Sequence, residues 1–454
     1  MENIEDENKI DRKRARKSAK KEFRRKKKQK ETFESPLSED WMPLDNAAMI
    51  YPPAANSRWK AMFRLSAHTT EEIDPALLDM ALKAVMPRFP NFNVFLRKGL
   101  FWNFFEQHRK MPNVRQEKDY PLQNFVFRND KHLFRVLYYK KKISLEMFHS
   151  LTDAFGGMMF LSAILTKYFM LKGVKVDLEN APVNFLDKPR DDELEDSFLK
   201  YADKSGFNPR AEKKAYQIHG TPEESGKLNI LTGICSVIQI KAAAKKINCT
   251  ITEFLTAVYF KALLTYQSEV MVQRKPVKIS IPINLRSIFP SKTFKNFSSY
   301  HNITFMPEDR DMPLPDIAAK VKEQLKLATP EHLRHNINSN VAAQRNPVVR
   351  VLPLFIKDFA LKMIFNTVGE VLYTTVVSNI GKFPVAKEIE PYLDFFEAYI
   401  GRGKKNKAEL GVVSFGDKLS LSFSYSIREV KLFRIFFRLL TGMDCDVKLI
   451  TNVL

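Results

Sequence analysis

Apolar residues recur at helical spacing over Pro75–Met86, where Leu77, Leu78, Ala81, Leu82, Val85 and Met86 form one stripe. Asp74 is a favoured N-cap and Pro75 a favoured first helical residue, while Pro87 and Pro90 stop the helix. Leu133–Tyr139 and Ile143–His149, joined by a lysine turn, predict a β-hairpin, and Ala154–Leu171 directly after it predicts a helix. The second half opens with a predicted strand over Cys235–Ile240. Thr250 and Glu253 then form a capping box before an apolar face within Phe254–Tyr266. A strand over Val277–Pro282 meets Asn284-Leu285-Arg286, and a helix over Pro315–Ala328 precedes a polar segment. A strand over Tyr373–Val377 runs into Ser378-Asn379-Ile380-Gly381. Val412–Phe415 and Lys418–Ser424 predict a hairpin turning at Gly416-Asp417. Hairpins and crossovers both occur, so the expected class is α/β with mixed sheets.

Between these halves, Asn180–Lys227 is polar, has little periodicity and carries Pro182, Pro189, Pro209 and Pro222. The expected division is a basic arm at 1–40, a first domain at 41–180, a crossover at 181–227 and a second domain at 228–454. A length of 454 residues exceeds one ordinary core. Hydrophobic residues at 44% and aromatics at 12% exclude global disorder, and 15 Gly against 36 Phe excludes a collagen-like chain. Net charge is +21, which favours an anionic partner without bearing on fold. Residues 1–31 hold 14 Lys/Arg against 7 Asp/Glu. Within them Asp11–Glu31 is almost wholly polar and cannot bury a face. Residues 12–30 therefore suggest an arm for nucleic acid or anionic lipid, or equally a solubilising tail. Cys235, Cys249 and Cys445 make no disulfide framework, and the charged N-terminus has no apolar signal region, so a reducing, cytoplasmic setting is expected. Met158–Leu171 is broken by Lys167, and Val351–Val368 by Lys357, Asp358 and Lys362. Both are expected to be buried or half-buried helices rather than spans.

Most chemical content lies in Phe148-His149-Ser150-Leu151-Thr152-Asp153-Ala154-Phe155-Gly156-Gly157. A histidine ends a strand, an aspartate opens a helix, and two glycines permit close backbone approach. Imidazole, with an ordinary pKa near ~6.5, suits a general base, and Asp153 suits the positive end of its helix dipole. On these grounds alone a structural histidine remains the stronger reading.

His149-x-x-x-Asp153 resembles the H-x-x-x-D-G signature of CoA-dependent acyltransferases of chloramphenicol acetyltransferase-like fold. That superfamily includes alcohol acetyltransferases, plant acyltransferases and condensation domains of nonribosomal peptide synthetases. PALLDMALKAVMPRFPNF is similar to its opening helix, IPINLRSIFPSKTFKNF to its P-V-N-L-R segment, and VVSNIGKF to its (S/T)-N-(I/L)-G strand. Together these cover roughly residues 45–454, nearest to the bacterial alcohol acetyltransferase and condensation-domain-like group. Three features depart from the pattern. Ala154 replaces the motif glycine, Phe148 stands where many members carry a first histidine, and Ser414-Phe415-Gly416-Asp417 replaces the plant D-F-G-W-G motif.

The resemblance implies two such domains, each a mixed sheet flanked by helices, with an active-site tunnel at their interface. It implies an acyltransferase, most simply one moving acetyl from acetyl-CoA to an alcohol, with another acyl-CoA or an amine acceptor as variants. No permanently bound cofactor or metal is expected, and the two-domain members are often monomers. His149 would be the general base, and Asp153 the second member of the catalytic motif, turned away from substrate and paired with Arg286. Ser378 and Asn379 are the candidates for stabilising an oxyanion. The alternative is a non-catalytic or carrier-protein-dependent condensation-like binding protein on the same fold.

Weaker signals are read conservatively. Gly401-Arg402-Gly403-Lys404-Lys405-Asn406-Lys407 is expected to be a solvated turn more than a CoA-phosphate site. His332 and His335 lack further metal ligands, and His219 and His301 are candidates to line the cleft. Phe101–Phe105 and Lys431–Leu440 are expected in core or interface. The latter offers Lys431, Arg434 and Arg438 to an anionic surface as an alternative.

Overall fold

The computed structural model describes residues 40–55, 61–123, 131–203, 212–224, 226–270, 275–401, 403 and 405–453. The basic arm at 12–30 lies outside them.

Caps and turns set the local structure. Asp74 accepts from the Ala76 and Leu77 amides at 2.8 and 3.2 Å and starts a helix at Pro75–Val85. The predicted hairpin forms as Phe134–Tyr139 paired antiparallel with Lys142–Phe148. Thr250 and Glu253 make both bonds of their capping box, at 2.7 and 3.3 Å, and open a helix at Ile251–Val270. Gly416, at φ +54°, turns the hairpin of Ala408–Phe415 and Lys418–Tyr425.

A five-stranded mixed sheet has the order Leu393–Ile400, Met62–Thr69, Lys142–Phe148, Phe134–Tyr139, Arg115–Gln116. Its last pair is parallel and the rest antiparallel. A seven-stranded mixed sheet runs Ser298–Phe305, Val277–Asn284, Thr375–Lys382, Ala408–Phe415, Lys418–Tyr425, Asn229–Ser236, Lys448–Thr451. There Thr375–Lys382 is parallel to both neighbours. A small antiparallel sheet joins Trp41–Pro43, Asn103–Gln107 and Val94–Lys98. Helices pack on the two larger sheets, as the α/β expectation required.

The halves share material. Leu393–Ile400, from the second half, completes the first-half sheet by pairing with Met62–Thr69. Phe383, Phe396 and Phe415 enter the same core as Phe63, Leu65 and Phe160. At Gly411 the sheets come so close that a Cβ would lie 1.9 Å from the Ala398 carbonyl oxygen, so only glycine fits.

Several expectations are revised. The strand expected over Cys235–Ile240 ends at Ser236, whose hydroxyl caps a helix at Val237–Lys246 by accepting from the Gln239 amide. The polar segment after Ala328 is a helix, Pro330–Arg345, with Leu333, Ile337 and Val341 buried at helical spacing. Described residues of the crossover pack on the fold: Arg88 grips Glu193 through two bonds of 2.6 and 2.5 Å, and Phe198 is buried against Phe297. Lys431–Thr441 hides Leu432, Phe433, Phe436, Phe437 and Leu440 in the second core, which removes the apolar face a surface role would need. Ala154–Leu171 is long and apolar enough to cross a bilayer, but 72% of it is buried inside the fold. Within Val351–Val368 the helix is Leu354–Ile364; it is half-buried, with Leu354 and Lys357 inside, but Phe355, Phe359, Met363 and Ile364 face outward.

Candidate active site

The Lys142–Phe148 strand carries the chain to His149, whose amide still donates to the Ala61 carbonyl at 2.8 Å. A turn closed by the Leu151 amide on the Phe148 carbonyl leads to Asp153, and the helix begins at Ala154. Asp153 Oδ1 accepts from the Phe155 and Gly156 amides at 3.2 and 3.4 Å as N-cap. Ala154 is the first helical residue and is not among the described residues with positive φ, so alanine replaces the motif glycine without strain. Gly156 meets the stricter demand. A Cβ there would lie 2.4 Å from the Phe294 carbonyl oxygen of the second half.

Asp153 also reaches across the chain. Its Oδ2 accepts from Arg286 Nη1 at 2.7 Å and from the Phe297 amide at 2.9 Å, and both ion-pair partners are buried. Arg286 spends its other donors on the carbonyls of Thr293 and Lys295, at 3.0 and 2.6 Å. Its guanidinium lies 4.5 Å from the Phe155 ring centroid. The pair therefore ties the helix start to the 284–297 segment.

His149 is held on three sides. Tyr51 stacks on the ring at 4.8 Å and Phe63 meets it edge-on at 5.2 Å. Asn296 Oδ1 lies 3.2 Å from Nδ1. The Asn296 amide is oriented by its own Nδ2, which donates to the His149 carbonyl at 2.9 Å and to Asp45 Oδ2 at 3.1 Å. Oδ1 is thus an acceptor, Nδ1 bears the proton, and neutral His149 keeps its lone pair on Nε2. Burial lowers the imidazole pKa below its ordinary 6.5, only partly offset by Asp153 and Asn296. Behind Asn296, burial and the nearby Asp196 push the Asp45 carboxyl up to about 7.

One cavity of about 160 Å³ is lined by His149, Asp153, Arg286, Ser378 and Asn379 together, with residues of both large sheets in its wall. Ser378 and Asn379 lie within the Thr375–Lys382 strand rather than at its end, because pairing continues through a register shift between Asn379 and Lys382. Asn379 is engaged by the fold: its Nδ2 donates to Thr252 Oγ1 at 2.9 Å and its Oδ1 accepts from the Gly381 amide at 3.0 Å. The Ser378 hydroxyl has no such partner among the described residues. His219 and His301 do not line this cavity. No cluster of three metal-capable side chains forms among the described residues. In the 401–407 loop, Arg402 and Lys404 lie outside the described residues.

Tyr51, Asp45 and Asn296 escaped the sequence reading. Asn296 lies inside IPINLRSIFPSKTFKNF and was within reach of it; Tyr51 and Asp45 carry no local signal.

The "Alcohol acetyltransferase" family model matches residues 194–389. No curated protein matches the chain in sequence. Among solved structures, TRI101 of F. sporotrichioides in complex with coenzyme A and T-2 superposes with a TM-score of 0.58 at 10% identity, over 89% of this chain and 99% of that one. Polyketide synthase associated protein 5 from Mycobacterium tuberculosis gives 0.55 at 12%, over 88% and 96%. The starter condensation domain of rhizomide synthetase in complex with C8-CoA and Leu-SNAC gives 0.54 at 13%, over 89% and 94%. The chain is thus similar to the alcohol acetyltransferase family over 194–389 and shares the chloramphenicol acetyltransferase-like fold of these structures.

Proposed function

We propose that the protein transfers an acetyl group from acetyl-CoA to an alcohol, with His149 as general base. The observation that carries this is a buried imidazole, neutral and proton-bearing on Nδ1, in the wall of a cavity lined by both halves of the chain. Nε2 takes the proton of the acceptor hydroxyl as its oxygen attacks the thioester carbonyl carbon. The carbonyl π pair moves to oxygen, and the Ser378 hydroxyl donates to that oxyanion. Collapse restores the carbonyl and breaks the C–S bond, and the imidazolium returns its proton to the leaving thiolate. The thioester is already activated, so no acyl-enzyme is required. The cavity of about 160 Å³ suits a short acyl group.

Incubating the full chain with acetyl-CoA and a panel of alcohols, and following free thiol, tests the reading. Alcohol-dependent thiol release with ester formation is expected. Hydrolysis that ignores the alcohol, or no release, would reject it.

The rate should also follow the neutral form of His149. Its folded pKa is lowered, so kcat/KM is expected to rise with pH through a value below 6.5 and then level. Asn296→Asp sets a negative charge against the imidazolium and should move that limb to higher pH. Asn296→Ala removes a bond that favours the charged form and should move it lower, with about a tenfold loss of rate from a freed ring. A limb that stays put in both variants would mean that His149 is not the titrating group.

A further inference from the structure

The Leu354–Ile364 helix is inverted relative to what water rewards. One of its two lysines is inside: Lys357 is 5% exposed, donates to the Phe101 and Arg350 carbonyls at 2.9 and 3.3 Å, and lies over the Trp102 ring at 3.4 Å. Leu354 is buried and Leu361 half-buried, but its other large apolar residues are outside. Phe355 and Phe359 are 74% and 67% exposed, and Met363 continues their line four residues on. Val348 and Val351, on the preceding Pro347–Val351 turn, extend the line at 66% and 67% exposed. Leu100, whose carbonyl accepts from the Leu354 amide, adds 72%. A contiguous exposed patch of this kind in a folded chain marks a contact surface.

Charge decides what covers it. Between His332 and Gly369 the chain has Arg334, Arg345, Arg350, Lys357 and Lys362 against one carboxylate, Asp358. That carboxylate is largely buried and lies 4.0 Å from Lys98, itself 79% exposed. Two copies meeting on this face would set Arg350, Lys362 and Lys98 against their own kind. An anionic lipid surface meets both demands, apolar depth for the phenylalanines and negative headgroups for the flanking cations. Beside the stripe a groove of about 820 Å³, lined by Trp41, Met49, Trp102 and Phe104 with Arg350, offers aromatic groups suited to headgroup depth, and its carboxylates Asp40 and Glu106 are paired with Arg109 and Arg97 at 3.8 and 2.7 Å. The helix packs on Tyr51–Ala54, and Tyr51 stacks on His149.

We infer that the face formed by Val348, Val351, Phe355, Phe359 and Met363 docks on an anionic lipid surface, through a helix that packs beside Tyr51 and His149. This inference does not depend on the acyl-transfer reading.

Co-sedimentation of the full chain with phosphatidylcholine vesicles, with and without phosphatidylglycerol, tests it. Binding is expected to the anionic vesicles, and Phe355→Ser with Phe359→Ser should weaken it by about tenfold or more. Both positions are exposed, so the double variant should melt with the parent chain. Emission added by Phe359→Trp should be quenched by lipids brominated in the acyl chain. Part of the binding should also survive high salt, which a purely electrostatic arm would not allow. Equal binding by parent and double variant, or absence of quenching, would overturn the inference. So would a parent chain that ignores vesicles, or a dimer that the double substitution disperses, which would assign the face to a second copy.

Discussion

Replacing His149 by alanine is expected to slow alcohol-dependent thiol release from acetyl-CoA by about 10³-fold, within the ~10²–10⁴ that a positioned acid–base group supplies. No other titratable side chain in the cavity wall can take over. Asp153 and Arg286 are committed to each other at 2.7 Å, Arg64 is held by Glu146 and Glu117 at 3.0 and 2.6 Å, and burial raises the Tyr399 phenol well above its ordinary range, which keeps it protonated. The loss should fall on kcat more than on KM, because the imidazole acts on the proton in flight and not on the bound thioester. His149→Gln keeps bulk between Tyr51 and Phe63 without a base of suitable pKa, and should lose as much. The readout is thiol release at saturating acetyl-CoA, with melting temperature as the check on folding. A variant that folds and turns over like the parent would remove His149 from the mechanism and leave the cavity as a binding site only.

Much of the fold was legible where local chemistry is decisive. Asp74 before Pro75, Asp153 before a largely apolar helix of 18 residues and the Thr250–Glu253 box each satisfy orphan amides within a few residues, so their helices announce themselves. The gathering of His149, Asp153, Arg286, Ser378 and Asn379 around one cavity followed from the family resemblance, not from periodicity. What stayed hidden is long-range. Leu393–Ile400 pairs with Met62–Thr69 more than 300 positions away, and no local pattern says which sheet it joins. The Pro330–Arg345 helix reads as polar because its buried face includes Asn336 and Asn338, the latter satisfied by Asp203 at 2.7 Å. The Leu354–Ile364 helix misleads in the opposite way. Its hydrophobic residues suggest burial, yet Lys357 occupies the inside and Phe355 and Phe359 the outside.

Asp153→Ala should cost stability and activity together, and the proportion identifies its role. Removing one partner of a buried ion pair strands the other, and about 3–5 kcal/mol of unfolding free energy is the usual loss. The missing N-cap adds about 1 kcal/mol. Arg286 would retain the Thr293 and Lys295 carbonyls but no countercharge, and the Phe297 amide would lose its acceptor. Asn296 adjoins Phe297, so a loosened 284–297 segment should also release the bond that fixes His149 Nδ1. Among molecules that remain folded, a rate loss of about 10–10² is therefore expected through misplacement of the ring. Urea unfolding of the single variants and of Asp153→Ala with Arg286→Ala separates the contributions. The double variant should lose less than the sum of the singles, because it leaves no lone buried charge. Additive losses would mean that the two residues do not act as a pair. Full stability with a rate loss as large as that of His149→Ala would instead place the Asp153 carboxylate on the reacting atoms.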